Sequence, residues 1–352
     1  MRLSGCLIAI AGLAAGCGGS GPSAPETTPT STSTPAVSPL TGLHFTVSPV
    51  DLNVLEYIVP IGKMSPWGHT LPTDHAYLYH YSGNGIAPSV NVYAPAGGRI
   101  EAMSGGRIDV RVDAVYSYWI GPVVSPPSIA VGATVEAGAL LGTHGTFPAL
   151  DFAAMRTTQQ TFFANPLRYS PETLLCDGPM KYFEGAVRSA ILAKVRRSGG
   201  EIDGKIDYDV AGTLSGNWYA EDMPVAESGI GGDEYHGTRK LSFARDVTSP
   251  DQPRISIGGL GLTGLYAVNA DAPAFANITP ASGVVVMRLL NPPDGGAPPS
   301  PPQDATQLGW LIVQMIDVTH IRVEAVGIAV SLVTAAGPAP TSFTSGAQIY
   351  QR

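Results

Sequence analysis

The sequence predicts a mainly β protein: an antiparallel β domain, one amphipathic helix, and a second β-rich domain. Three observations carry this. Among 352 residues there are 42 Gly and 31 Pro, so the chain turns often, which favours strands over long helices. Hydrophobic residues make up 44% and charged residues only 14%, enough for a real core under a sparsely charged periphery. Finally, apolar residues alternate with period two in several places, and only one segment repeats at helical spacing. The length suits about two domains at ~100–200 residues each.

The chain starts with a leader-like stretch. Arg2 supplies a short positive region, and residues 3–15 are apolar but too short to span a membrane permanently. Ala14-Ala15-Gly16-Cys17 follows. It resembles the cleavage box of bacterial lipoproteins, with Leu13 displaced by one position; an ordinary secretory signal with a chance cysteine is the alternative. The resemblance implies a signal peptide over 1–16 and acylation of Cys17. The protein is then expected in the bacterial cell envelope, outside the cytoplasm, bound to a membrane through N-terminal lipid. More than one acyl chain, at ~0.8 kcal/mol per buried methylene, anchors stably. Residues 18–40 (GGSGPSAPETTPTSTSTPAVSPL) carry too little apolar surface to offset their ordering entropy and are expected to form a flexible tether. The lipidated cysteine and tether are assigned to 17–44. Processing leaves Cys17 and Cys176, so no intramolecular disulfide is expected.

Residues 45–175 read as the first β domain. Strands are expected at 54–59, 75–81 and 90–94, and over 107–120 (RIDVRVDAVYSYWI), which alternates throughout. Asn84-Gly85 and Gly97-Gly98 mark turns. In the connector 176–199, apolar residues at 183, 187, 191, 192 and 195 predict one amphipathic helix over 180–197. Its basic end, Lys194 to Arg197, reads as a solvated helix C-terminus. Strands return in the second domain, 200–352, at 205–210, 240–243, 284–290 and 321–333, with a Pro-rich loop at 291–304. Net charge is −8, and no basic stripe exists to neutralise phosphates, so a nucleic-acid partner is excluded.

Three stretches within 57–155 carry a resemblance. They are DHAYLYHY (74–81), VYAPAGGRIEAM (92–103), and VGATVEAGALLGTHG (131–145) followed by ALDFAAM (149–155). Their order and glycine spacing resemble the lysostaphin/LytM-type zinc endopeptidases of bacterial walls. The resemblance covers roughly 100 residues and implies an antiparallel β domain with a groove over one sheet face. It also implies where ligands would stand. The family's His-x-x-x-Asp falls on His75 and Tyr79; its His-x-His falls on Ala149 and Asp151. One of the four positions is unchanged and Asp151 is an altered ligand, so the domain reads as degenerate. A catalytic zinc takes three protein ligands plus an open position, and Ala149 has no group to assist a transition state.

The stretch GHTLPTDH (68–75) therefore has three readings: a remnant of a metal site, a rebuilt zinc site of His69, His75 and Asp151, or a polar turn. In the first, His75 and Asp151 pair across one groove, Pro72 bends the chain, and Thr73 and Asp74 satisfy backbone donors. Tyr77, Tyr79 and Tyr81 share the face of His75 and would line a ligand groove, or else pack between domains. No cofactor is expected, with zinc as the alternative. Other motifs fail. Gly199-x4-Gly204-Lys205 lacks the Ser/Thr of a phosphate loop, and Asp207-x-Asp209 is followed by Ala211 and Trp218 where calcium ligands belong. A lipoyl-type carrier needs a hairpin lysine, and none lies between Lys63 and Lys181. The expected function is a non-catalytic binding or scaffold module for peptidoglycan or an envelope protein. The alternatives are a zinc-dependent wall hydrolase with altered ligands and a purely structural lipoprotein whose groove is filled by 82–91 or 156–165.

Overall fold

The computed structural model describes residues 42–352 apart from 67, 82, 84–86, 146, 160, 226–238, 262, 292–306 and 327–336. The expected signal peptide, Cys17, tether 18–40 and most of the Pro-rich loop lie outside the described residues.

The first β region holds ten strands: β1 (Tyr57–Val59), β2 (Ala76–Tyr79), β3 (Val90–Tyr93), β4 (Gly98–Ser104), β5 (Arg107–Arg111), β6 (Tyr116–Gly121), β7 (Thr134–Val135), β8 (Leu140–His144), β9 (Ala149–Arg156) and β10 (Cys176–Asp177). Seven form an antiparallel sheet in the order β1-β2-β9-β6-β5-β4-β7, with β10 added on β9; β3 and β8 pair separately. Strand alternation decides the two faces. Ala76, Leu78, Ile108, Val110, Tyr118, Ile120, Leu150 and Phe152 point inward and are fully buried, packing with Val92 of β3 and Leu141 of β8. The other face carries Tyr77, Tyr79, Ala149, Asp151, Trp119 and Arg107. Gly142 shows why glycine recurs in the 131–145 hairpin: at φ +150° it passes so close to Val124 that a Cβ would stand 2.3 Å from that carbonyl.

The single strand expected over 107–120 is two. Asp113 accepts the N–H groups of Val115 and Tyr116 at 2.7 Å each, reversing the chain. The pairing Ile108↔Ile120 keeps inward residues inward across the turn, so the alternation runs on and conceals the break. The helix expected over 180–197 is also shorter: α2 spans Gly185–Leu192, preceded by a separate turn at Met180–Tyr182. Phe183 is extended and bridges Phe45 in the core, and Gly185, at φ +58°, starts the helix afresh. Nor is the basic end solvated. Lys194 donates to the Leu55 carbonyl, Arg196 stacks on Tyr57 at 3.3 Å, and Arg197 donates to the Val247 carbonyl. A one-turn helix, α1 (Pro171–Leu174), is capped by Ser170, whose hydroxyl accepts Thr173 N–H.

The second region is an antiparallel barrel of eight strands in sequence order: β11 (Gly216–Ala220), β12 (Lys240–Arg245), β13 (Pro253–Ile257), β14 (Gly264–Val268), β15 (Val284–Leu290), β16 (Gln307–Met315), β17 (His320–Val326) and β18 (Gln348–Gln351). It closes through Tyr219↔Gln351 and Ala220↔Tyr350, which removes exposed edges. Its interior is packed with Trp218, Phe243, Ile255, Met287, Leu311, Val313, Val323 and Tyr350. The strand expected at 205–210 is absent. Its carboxylates are drawn sideways instead, Asp207 and Asp209 accepting the N–H groups of Phe162 and Ala164 at 2.8 and 2.7 Å. The barrel and sheet share apolar clusters. One joins Ile61 and Leu71 to Tyr219 and Met223, and another sets Val247, between β12 and β13, against Tyr77 and Ala149.

Candidate functional site

The outer sheet face holds a groove of about 1190 Å³. Register explains its floor. Tyr77 lies opposite Asp151 and Tyr79 opposite Ala149, and opposed residues share a face. Continuing that register by one residue sets His75 level with Ala153, which in turn opposes Trp119. The small Ala153 lets the two rings approach to 5.2 Å between centroids. An aromatic ladder results. Arg196 caps Tyr57, Tyr57 stacks on Tyr79 at 4.4 Å, Tyr77 meets His75 at 4.9 Å, and Arg107 lies 4.5 Å over Trp119. Such ring and cation contacts are each worth roughly 0.5–1.5 kcal/mol beyond area burial. A second depression of about 580 Å³ continues across β4 and β5, sharing the walls Ser104, Arg107 and Glu172.

The stretch 68–75 belongs to a loop that folds back on itself. Ser65 and His69 exchange backbone hydrogen bonds at 2.6 and 2.7 Å, Gly62 N–H donates to the Thr73 carbonyl, and Thr73 N–H donates to the Lys63 carbonyl. Asp74 also serves side chains, beyond the backbone donors expected of a polar turn. Its carboxylate lies 3.1 Å from His75 Nδ1 and accepts the Thr173 hydroxyl at 2.6 Å. Burial raises the Asp74 carboxyl, but the His75 hydrogen bond and charge, with Thr173, outweigh it and hold the pKa below the ordinary value. The carboxylate at His75 Nδ1 is thus that of its sequence neighbour. A carboxylate on one imidazole nitrogen fixes ring orientation and tautomer.

His69, His75, Tyr77, Tyr79 and Asp151 all line the groove. Tyr81 does not: β2 ends at Tyr79, and Tyr81 falls past the strand. His69 meets His75 at 5.5 Å; burial first, then His75, pushes it down to about 4. His80 and His144 lie elsewhere, ring against ring at 5.1 Å.

These residues do not fit a catalytic zinc. Among the described residues no group of three or more His, Cys, Asp or Glu side chains is placed to hold a metal ion, so His69, His75 and Asp151 share a groove without forming a ligand set. Tyr79 is a poor substitute ligand, because burial and then the Asp151 charge raise its phenol. The sequence reading missed Trp119, which lines the groove, and Lys63, which touches two of its tyrosines. Trp119 was legible, since the alternation of 116–121 sets it opposite Tyr118 and Ile120. Lys63 was not: nothing local marks a lysine twelve positions ahead of His75. Its ammonium donates to the Tyr79 hydroxyl at 2.6 Å and lies 4.5 Å from the centre of the Tyr77 ring.

No family model matches the chain, and no curated protein does. Solved structures offer distant likenesses. The M23 metalloprotease pseudoalterin, from the deep sea, is 20% identical over 35% of this chain and 75% of its own, with a TM-score of 0.25. The solution structure of lysostaphin is 16% identical over 71% of this chain and 89% of its own, with a TM-score of 0.29. The antimicrobial peptidase lysostaphin from Staphylococcus simulans is 13% identical, covering 73% and 96%, with a TM-score of 0.30. This protein is similar to M23- and lysostaphin-type peptidases at that distance only, and the chemistry of its groove rests on its own side chains.

Proposed function

We propose that the groove binds a chain-like ligand of the bacterial envelope, either peptidoglycan or a segment of an envelope protein, without cleaving it. The observation that carries this reading is the aromatic ladder Tyr57-Tyr79-Tyr77-His75-Trp119, capped by Arg196 and Arg107. Rings with a few placed polar groups hold sugars and extended peptides by stacking and orienting contacts. Asp74 and His75 could move a proton, yet Ala149 faces Tyr79 where cleavage would need a second polar group. The described residues of 82–91 and 156–165 do not line the groove, which favours an open groove over one filled by its own loops. An acylated Cys17 and the tether that follows would hold this module at a membrane while it reaches wall material; both belong to the proposal.

The test is co-sedimentation of the purified protein with isolated wall sacculi. Retention is expected, with a loss of at least ~10-fold in affinity, about 1.4 kcal/mol, for Trp119→Ala. Soluble fragments released from the sacculi in a zinc-dependent manner would replace this reading with a hydrolase.

A further inference from the structure

We propose that His144 is a proton-dependent clamp on the rim of the groove, joining Pro122 to Phe147 when its imidazole is charged and releasing Phe147 when it is neutral. As a control on ligand retention, the clamp rests on the groove being a binding groove. Pro122, Phe147 and Pro148 line the groove. They stand where β6 and β9 part, the last pair of that ladder being Gly121↔Asp151. Beyond it β6 ends at Pro122, and β9 is preceded by Pro148. Proline brings no N–H, so neither residue donates there. A side chain from another strand meets the carbonyls instead. His144, the last residue of β8, sets Nδ1 2.7 Å from the Pro122 carbonyl oxygen and Nε2 3.0 Å from that of Phe147. The backbone that carries it is fixed on both sides. His144 faces Val90 of β3 in register, and Thr143 exchanges hydrogen bonds with Val124 at 2.8 and 3.1 Å.

The number of ring protons decides what this arrangement does. Both partners are carbonyls, which only accept. A neutral imidazole has one N–H and serves one of them; an imidazolium has two and serves both. Without the second proton a ring lone pair faces a carbonyl oxygen at a residue only 2% exposed, and an unmade buried hydrogen bond is costly. The weaker hold yields. Val123 and Val124, next to Pro122, donate to the Gly106 and Thr143 carbonyls at 2.8 Å each. Phe147 has the longer bond to the ring and is 56% exposed, so Phe147 is the side released. The ring that meets His144 is that of His80, edge-on at 5.1 Å. Burial first, then the His144 charge, pushes the His80 imidazole down, with Glu56 opposing. The Phe147 carbonyl also faces the His80 ring, but without a hydrogen bond of ordinary geometry. His80 holds the neighbouring residue by its backbone, donating its N–H to the Pro148 carbonyl at 3.0 Å.

The experiment uses the full chain with Cys17→Ser, to keep it in solution, labelled with ¹⁵N at histidine and carrying 4-fluorophenylalanine in place of Phe147. Ring ¹⁵N spectra count the protons on His144, and ¹⁹F relaxation reads the mobility at 147. Both are followed from about pH 5 to 8, where histidine ordinarily changes charge. His144 is expected to lose one ring proton in that range, and the 147 signal to become mobile with the same midpoint. His144→Gln, which has no charge to lose, should remove the pH response at 147. A constant proton count on His144, a 147 signal that is unmoved or follows another midpoint, or a response that survives in a folded His144→Gln overturns the proposal. Should that variant not fold, the agreement of the two midpoints in the parent decides alone. Sacculus binding on the same samples separates the two ideas. Retention should fall across the midpoint by about 3-fold more in the parent than in His144→Gln, the worth of one hydrogen bond. Equal falls in the two chains overturn the control of retention. No retention at any pH, with the two midpoints still coincident, removes the binding reading and leaves the clamp.

Discussion

Asp74→Asn tests how the groove is held in shape. The substitution keeps the side-chain outline and removes the charge. Asp74 is 16% exposed and serves two partners from different elements: His75 Nδ1 at 3.1 Å, and the hydroxyl of Thr173 on α1 at 2.6 Å. Hydrogen bonds to a charged group contribute ~1.5–3 kcal/mol each, and a neutral amide oxygen retains part of the Thr173 bond. The net cost should be about 2–3 kcal/mol, or roughly 3–4 °C in Tm for a chain this long. The pH dependence has a definite sign. The folded pKa of Asp74 lies below its ordinary value of 3.8. Its stabilisation is therefore complete above about pH 4 and disappears as pH falls through the depressed folded value. Urea unfolding of both chains, followed by far-UV circular dichroism at pH 7, 5, 4 and 3, should show a gap that is present at pH 5 and closes below 4. A gap under ~0.5 kcal/mol at pH 5, or one that widens between pH 5 and 3, would refute the reasoning. Thr173→Val should cost about 1 kcal/mol in the parent and less in the Asn background, because the pair is coupled.

The remaining predictions concern the frame. Arg254→Ala should cost about 3–5 kcal/mol in thermal or urea unfolding, because Arg254 and Asp246 are 2% and 4% exposed and 2.8 Å apart, and the variant strands a buried carboxylate. Phe45→Ala should cost ~3–5 kcal/mol by the same measurement, since Phe45 is fully buried against Tyr118, Phe152 and Phe183. Mild proteolysis should cut within 18–41 and leave a stable fragment that keeps Leu43 and Phe45; mass spectrometry of a core fragment lacking Phe45 would contradict the packing. Cys17→Ser should move the protein from a carbonate-washed membrane pellet to the soluble fraction.

The β12–β13 loop shows how the barrel bears on the groove. Asp246 accepts Thr248 N–H, the Thr248 hydroxyl and Ser249 N–H while it pairs with Arg254. The loop is thereby stiffened, and Val247 is held against Tyr77 and Ala149. The barrel thus packs against the sheet face that carries the groove.

Period-two alternation is a local property, and by itself it determined much here. It made the chain mainly β, put Leu78, Leu150 and Phe152 inside, and placed His75, Tyr77, Tyr79 and Asp151 on one face of neighbouring strands. Alternation has no means of marking where a strand reverses if the turn preserves parity, which is why 107–120 read as one strand. It also does not count contacts made by loops. Asp74 turned toward His75 and Thr173 because α1, a hundred residues on, brought a hydroxyl to it. The 180–197 helix was cut short because Phe183 is worth more in the core than on a helix face, and Lys194 to Arg197 bind carbonyls and a ring of other segments instead of water. Lys63 is the clearest case. Its position depends on a loop closing at Ser65 and His69 and on strand register, and only the tertiary structure brings its ammonium to the Tyr79 hydroxyl and the Tyr77 ring.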